Sequence, residues 1–94
     1  MDQSKQIPIK ATDEDLKGRY ANLMQVSHNP DEFVMDFLNL FPSGGQLVSR
    51  IITSPGHMKR ISVALVENIK NYESKFGEIK TSEEPKQGIG FKAN

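Results

Sequence analysis

The chain of 94 residues contains no cysteine and no tryptophan, and its 12 basic and 12 acidic residues cancel to a net charge of zero. The absence of cysteine excludes a disulfide scaffold, a cysteine-containing zinc site and a thiol nucleophile. Neutrality excludes the electrostatic footprint of a nucleic-acid binder or of a polybasic membrane ligand. No apolar run approaches the roughly 18 residues that span a bilayer, and no signal peptide is visible. We therefore expect a cytoplasmic protein with no nucleic-acid or membrane partner.

Apolar residues are concentrated in one part of the chain. Residues 18–79 hold most of them, together with six basic and six acidic residues, and predict a single folded domain. Residues 1–17 and 80–94 are mostly polar, which predicts a flexible N-terminal arm and a flexible C-terminal tail. Within these ends, residues 5–10 and 88–93 alternate apolar with small or polar residues and would also suit a strand added to a sheet edge.

The shortness of the predicted domain bears on its assembly. A domain of this size lies near the lower limit for independent stability when no disulfide or metal supports it. Association is then the remaining source of stability. We expect a homo-oligomer, of which a dimer is the favoured form. A further protein partner is also left open.

The clearest predicted element is a helix over residues 55–77. A hydroxyl residue and a proline, Ser54 and Pro55, are typical of a helix start, and Gly77 is typical of a helix end. Six apolar side chains between them fall within a sector of about 80° and form one stripe; they are Met58, Ile61, Leu65, Ile69, Tyr72 and Phe76. Val63 and Val66 lie off this stripe, either as single exposed valines or as a second contact surface in a dimer.

Three extended segments precede the helix, over residues 20–28, 32–41 and 46–53. The middle segment would also suit a helix, because Asn29-Pro30-Asp31-Glu32 is typical of a helix start. A strand is favoured, since Phe33, Met35, Phe37 and Phe41 then share one face. In the third segment, alternation places Leu47 on the face of Ile51.

These elements predict an α+β fold: a three-stranded antiparallel β-meander followed by one long C-terminal helix that packs on one face of the sheet. The other face carries Val34, Leu38 and Leu40 and is then left uncovered. We expect these three residues, with Val63 and Val66, to be candidates for an interface with a second copy.

A series of short motifs runs through the predicted domain. The motifs are Tyr20-Ala21-Asn22, Val26-Ser27-His28, Glu32-Phe33-Val34-Met35-Asp36-Phe37, Ser49-Arg50-Ile51, Ser54-Pro55-Gly56-His57-Met58-Lys59-Arg60, Tyr72-Glu73 and Phe76-Gly77-Glu78-Ile79. Their order resembles the small prokaryotic family called domain of unknown function 3467, over residues 20–79. The chain departs from the family's pattern after Phe37, where it has Leu38 and the family often has glycine. The family is functionally uncharacterised, so the resemblance implies a prokaryotic cytoplasmic setting and no activity.

The residue types of common catalytic and metal sites do not occur in a recognisable pattern. His28 and His57 are 29 positions apart, a spacing that matches no metal-ligand motif, and each is better interpreted as a histidine that bonds locally beside a turn or a helix start. No serine or threonine lies in a nucleophile motif. Gly44-Gly45 is typical of a hairpin turn. We expect no metal and no cofactor.

The strongest candidate site is an anion site at the start of the long helix, where backbone N–H groups are unpaired and the helix dipole is positive. Its residues are Ser54, Gly56, His57, Lys59 and Arg60. The favoured alternative is that the two cations face solvent or pair with acids such as Glu67 and Asp36.

Two classes of function stay open. The favoured one is a small non-catalytic interaction or assembly module that acts as a homo-oligomer. The alternative is a binder of a small anionic ligand, or an enzyme, that uses the helix-start residues together with Arg50.

Overall fold

The computed structural model describes residues 6–83 and 88–92 and contains a short helix, three strands and a long helix. These are α1 (Asp13–Lys17), β1 (Leu23–His28), β2 (Phe33–Phe41), β3 (Gly44–Thr53) and α2 (Pro55–Phe76). The strands form one antiparallel sheet in the order β1-β2-β3. The predicted α+β fold, a meander followed by one long helix, is confirmed.

The central strand, β2, settles the ambiguity of residues 32–41. Its residues pair on both sides: Val34, for example, lies opposite Ser27 of β1 and Ile52 of β3. The backbone groups of this segment are therefore satisfied by two neighbouring strands, which excludes the helical alternative.

The turn between β1 and β2 is built by an asparagine side chain. Asn29 Oδ1 accepts hydrogen bonds from the backbone N–H groups of Asp31 and Glu32, at 2.8 and 2.9 Å. This geometry is an Asx turn, in which the side chain takes the place of a backbone acceptor. It aligns the chain so that β2 returns directly along β1.

A β-bulge in β3 changes which apolar residues share a face. Leu38 of β2 lies opposite Leu47, and Val48 is the extra residue of the bulge. The Val48 carbonyl accepts a hydrogen bond from Arg19 Nη1 at 3.2 Å. The predicted placement of Leu47 with Ile51 is wrong, because one inserted residue moves Leu47 to the opposite face and simple alternation cannot signal it.

The Leu38 face, as we call the side of the sheet on which Leu38 lies, is better covered than the sequence predicts. Leu23 of β1 and Leu47 of β3 flank Leu38 in the register of the strands. Leu38 is only 3% exposed, and Val34 and Leu40 are half-buried. The prediction that this face is left uncovered is therefore wrong at its centre, where the neighbouring leucines and residues 88–92 surround Leu38.

The opposite side of the sheet, the Met35 face, is covered only at its centre. Met35 is 7% exposed. Its cross-strand neighbours, Val26 of β1 and Ile51 of β3, both remain exposed. The sheet therefore has a thin apolar core at β2 and partly exposed apolar margins.

The helix α2 begins and ends as predicted but does not pack on the sheet as predicted. Ser54 caps its start, and Gly77, with a φ of +96°, ends it. No residue of α2 is buried, although Met58 and Ile61 in its first two turns are half-buried. Ser54 alone separates β3 from α2, whereas connections between strands and helices usually have about 2–6 residues. So short a connection leaves little chain to turn the helix back across the sheet.

The N-terminal arm contains a helical turn that the sequence analysis did not predict. Thr12 Oγ1 accepts from the N–H of Asp15, and the Asp15 carboxylate accepts from the N–H of Thr12, at 3.0 and 3.1 Å. This reciprocal pair is a capping box, and it begins α1. Thr12 and an acid three positions later are the sequence signal for it. Of the segments that suited an added strand, the described residues 6–10 and 88–92 form no strand.

Candidate functional site

The predicted anion site at the start of α2 is a local hydrogen-bonded cap. Ser54 Oγ accepts a hydrogen bond from the backbone N–H of His57 at 3.2 Å, and Arg60 Nη2 lies 2.8 Å from His57 Nδ1. Since a guanidinium can only donate, His57 Nδ1 is the acceptor in this contact. The first turn of the helix contains no acid.

All five residues of this predicted site are exposed, so the chain gives an anion no enclosure there. Within residues 6–83 and 88–92, neither Lys59 nor Arg60 forms an ion pair, and the anticipated pairing with Glu67 or Asp36 does not occur. The anion site stays a prediction.

The two histidines belong to different elements and make different contacts. His28 ends β1, and its ring lies 5.3 Å from the ring of Phe33, while His57 belongs to the α2 cap. In the described part of the chain no group of three or more histidine, aspartate or glutamate residues is arranged to hold a metal ion.

The ion pair between Asp36 and Arg50 is the main polar feature of the Leu38 face. Arg50 donates from Nε to Asp36 Oδ1 at 2.7 Å and from Nη2 to Oδ2 at 3.0 Å, a two-pronged geometry that fits a carboxylate. β2 and β3 place the two residues directly opposite each other. Asp36 is only 7% exposed, so its carboxylate is largely withdrawn from water. Arg50 therefore pairs with Asp36 within the sheet, and not with the residues at the start of α2.

The ion pair alters the acidity of both groups. Hydrogen bonds from Arg50 lower the pKa of Asp36 below its usual value of 3.8; burial opposes this shift, and the charge of Arg50 adds to it. The same hydrogen bonds and charge raise the pKa of Arg50. The pair therefore stays ionised at neutral pH and holds β2 and β3 in register.

A cavity of about 780 Å³ lies between the Leu38 face and the C-terminal segment, residues 88–92. Leu38, Leu40 and Leu47 line it from the sheet, and Ile89 and Phe91 line it from the segment. The alternation in this segment also suits a strand added at a sheet edge, but the sequence favours a flexible tail and does not predict contact with the Leu38 face.

Phe91 connects this cavity to the ion pair. Its ring centre lies 5.5 Å from Arg50 Cζ, within the range of a cation–π contact. Phe91 also lines a second, smaller cavity together with Gln25, Asp36 and Arg50. The C-terminal segment therefore lies along the Leu38 face, from the leucines to the ion pair.

The apolar stripe of α2 is the largest exposed apolar feature of the described helices. Its four outer members are between 48% and 72% exposed; they are Leu65, Ile69, Tyr72 and Phe76. The rings of Tyr72 and Phe76 lie 5.0 Å apart, so they present one continuous aromatic surface. Val63 and Val66, the predicted second surface, are 54% and 52% exposed. Their role as an interface stays a prediction.

Within residues 6–83 and 88–92, no helix combines the length and the apolarity that crossing a bilayer requires. The exposed stripe occupies one side of the helix, while the rest of the helix surface is mostly polar apart from Val63 and Val66.

Comparison with known proteins places the chain in a family without naming an activity. No curated protein matches the chain, and no solved structure matches it. One family model, described as a protein of unknown function (DUF3467), matches residues 1–81, which includes the N-terminal arm as well as the sheet and α2. The chain belongs to the DUF3467 family of proteins of unknown function.

Proposed function

We propose that this protein is a small non-catalytic interaction module that acts as a homo-oligomer, in the simplest case a dimer, joined through the apolar stripe of α2. The observation that carries the proposal is the exposure of that stripe on a helix with no buried residue. A stripe of large apolar side chains is stabilised only when another surface removes it from water. A cytoplasmic setting in a prokaryote belongs to the same proposal.

The surface area of the single chain supports an association of this kind. Its accessible area is 8973 Å², whereas a folded monomer of 10.6 kDa is expected to expose about 5,500 Å². The excess, about 3,500 Å², includes the polar ends of the chain and is larger than the roughly 800 Å² that each partner of a standard protein interface buries. A single copy thus leaves ample surface for a partner to cover.

A second copy is the occupant that suits the stripe best. The six stripe residues recur at spacings of three and four, as residues do along the seam between two packed helices. The same stripe on two copies related by a twofold axis is complementary to itself. A net charge of zero adds no long-range repulsion between the copies.

The proposal is tested by placing charge on the stripe and, as a matched control, off it. L65E/I69E puts two carboxylates in the proposed seam, whereas V63E puts one about 160° away around the helix. Size-exclusion chromatography with light scattering should give a multiple of 10.6 kDa for the wild type and for V63E, and 10.6 kDa for L65E/I69E. Circular dichroism of each variant checks that the helix and the sheet remain folded.

The reverse pattern would contradict the proposed seam. If V63E gave the monomer mass while L65E/I69E kept the wild-type mass, the interface would lie on the side of Val63. If the wild type itself had the monomer mass, the homo-oligomer proposal would fail.

A further inference from the structure

The groove on the Leu38 face is already occupied, and its occupant indicates what the groove binds. Ile89 and Phe91, two positions apart, line the cavity that Leu38, Leu40 and Leu47 line from the sheet. In an extended segment, side chains two positions apart lie on the same side, so both can face one surface. The groove therefore fits an extended segment with an apolar residue at every second position.

The two ends of the groove differ in chemistry. Ile89 and Phe91 both line the cavity of the sheet leucines, whereas Phe91 alone of the two also lines the smaller cavity with Arg50 and lies against its guanidinium. A guanidinium favours the face of an aromatic ring over an aliphatic side chain. The groove therefore favours an aliphatic residue first and an aromatic residue second.

The chain's own segment fills this groove poorly. Ile89 is half-buried, Phe91 is 55% exposed, and a cavity of about 780 Å³ remains beside them. Gly88 and Gly90 flank Ile89, and a Cβ at either position would meet no atom within 4 Å. Glycine also loses the most conformational freedom on ordering. Side chains at these two positions would therefore meet no obstruction, and they would lower the entropic cost of ordering the segment.

We propose that this groove is a binding site for an extended segment of a partner protein, with the pattern aliphatic–any–aromatic, and that Gly88–Lys92 is a displaceable occupant of it. The site lies on the sheet and uses no residue of the α2 stripe, so it is independent of the proposed seam. The partner segment replaces the C-terminal segment and forms the same contacts with the leucines and with Arg50.

The test is competition between the chain's own segment and a peptide. The probe is a fluorescently labelled peptide with the sequence of residues 88–92 carrying G88T and G90T. Its binding is measured by fluorescence anisotropy to the wild type and to I89S/F91S, in which the occupant is weakened. I7S/I9S is the matched control, because Ile7 and Ile9 have the same spacing and are 80% and 81% exposed.

We expect I89S/F91S to bind the probe at least about tenfold more tightly than the wild type. The reason is that the probe binds only those molecules whose groove is empty, so the apparent affinity falls in proportion to the fraction of molecules with an empty groove. I7S/I9S should bind as the wild type does. A probe whose isoleucine and phenylalanine are both replaced by serine should lose binding to all three proteins.

Three results would overturn the proposal. Equal binding by the three proteins would mean that the C-terminal segment does not occupy the site, and no binding by I89S/F91S would mean that there is no such site. A fall in the mass of the I89S/F91S oligomer would mean that the segment joins two copies instead. Because the α2 stripe is intact in this variant, a failure here leaves the L65E/I69E result unaffected.

Discussion

At the scale of single residues, the pair formed by Asp36 and Arg50 shows how one contact determines the environment of a sheet face. A carboxylate at the centre of an apolar face is unfavourable unless it is paired and hydrogen-bonded. Arg50 meets both requirements from the neighbouring strand and, through its exposed side, also meets Phe91. The pair therefore joins the register of the sheet to the proposed binding groove.

The two partners of this pair differ in how well water can replace the lost contact. The side chain of Asp36 is 10% exposed and that of Arg50 is 50% exposed. R50Q leaves a nearly buried carboxylate without its cation, whereas D36N leaves an arginine that water can solvate. We expect R50Q to lower the melting temperature at neutral pH by more than D36N does. Equal effects of the two substitutions in thermal melts would contradict this account.

The lowered pKa of Asp36 gives the stability a defined dependence on pH. Because the folded-state pKa lies below 3.8, the stabilisation is fully present above that value and is lost as the pH falls through the folded-state pKa. We expect the wild type to melt above D36N at neutral pH and the difference to shrink below pH 3.8. Thermal melts of both proteins across this range measure it, and a difference that grows on acidification would contradict the assignment.

At the scale of elements, local sequence signals predict where the helix and strands form but not how they pack. Ser54 and Gly77 bound α2 as predicted because caps act through the backbone of their own turn. The bulge at Val48 was missed because an extra residue depends on the pairing of two strands. The exposure of the α2 stripe was missed because a period of 3.6 identifies an apolar side and not the surface that covers it.

The candidate sites show the same contrast between contacts within one turn and contacts between distant parts of the chain. Ser54, His57 and Arg60 come together because they lie within one helical turn. The groove joins β2, β3 and residues 88–92, which are distant in sequence, and no local pattern brings them together.

Two glycines provide a matched test of these element boundaries. Gly44, directly after the turn from β2, has a φ of +145°, which residues with a side chain rarely adopt. We expect G44A to lower the free energy of unfolding by roughly 1–3 kcal/mol. G56A, in the first turn of α2, should raise it by about 0.5 kcal/mol, because alanine favours the helix. Denaturant unfolding curves measure both, and a neutral G44A would contradict the hairpin geometry.

At the scale of the whole molecule, a single copy is extended and has little core. Its radius of gyration, with the polar ends of the chain included, is 16.8 Å, whereas a compact domain of this length has about 12 Å. Only Met35 and Leu38 among the apolar residues of the described chain are buried, and both lie on β2. Burial of the α2 stripe against a second copy would add the second apolar cluster that one copy does not have.

The most direct test of this account is the molar mass of the unmodified protein in solution. Sedimentation equilibrium across a range of micromolar concentrations should give twice 10.6 kDa, or a higher multiple, with a shift toward the monomer only on dilution. A mass of 10.6 kDa at every concentration, for a protein that is folded by circular dichroism, would contradict the account.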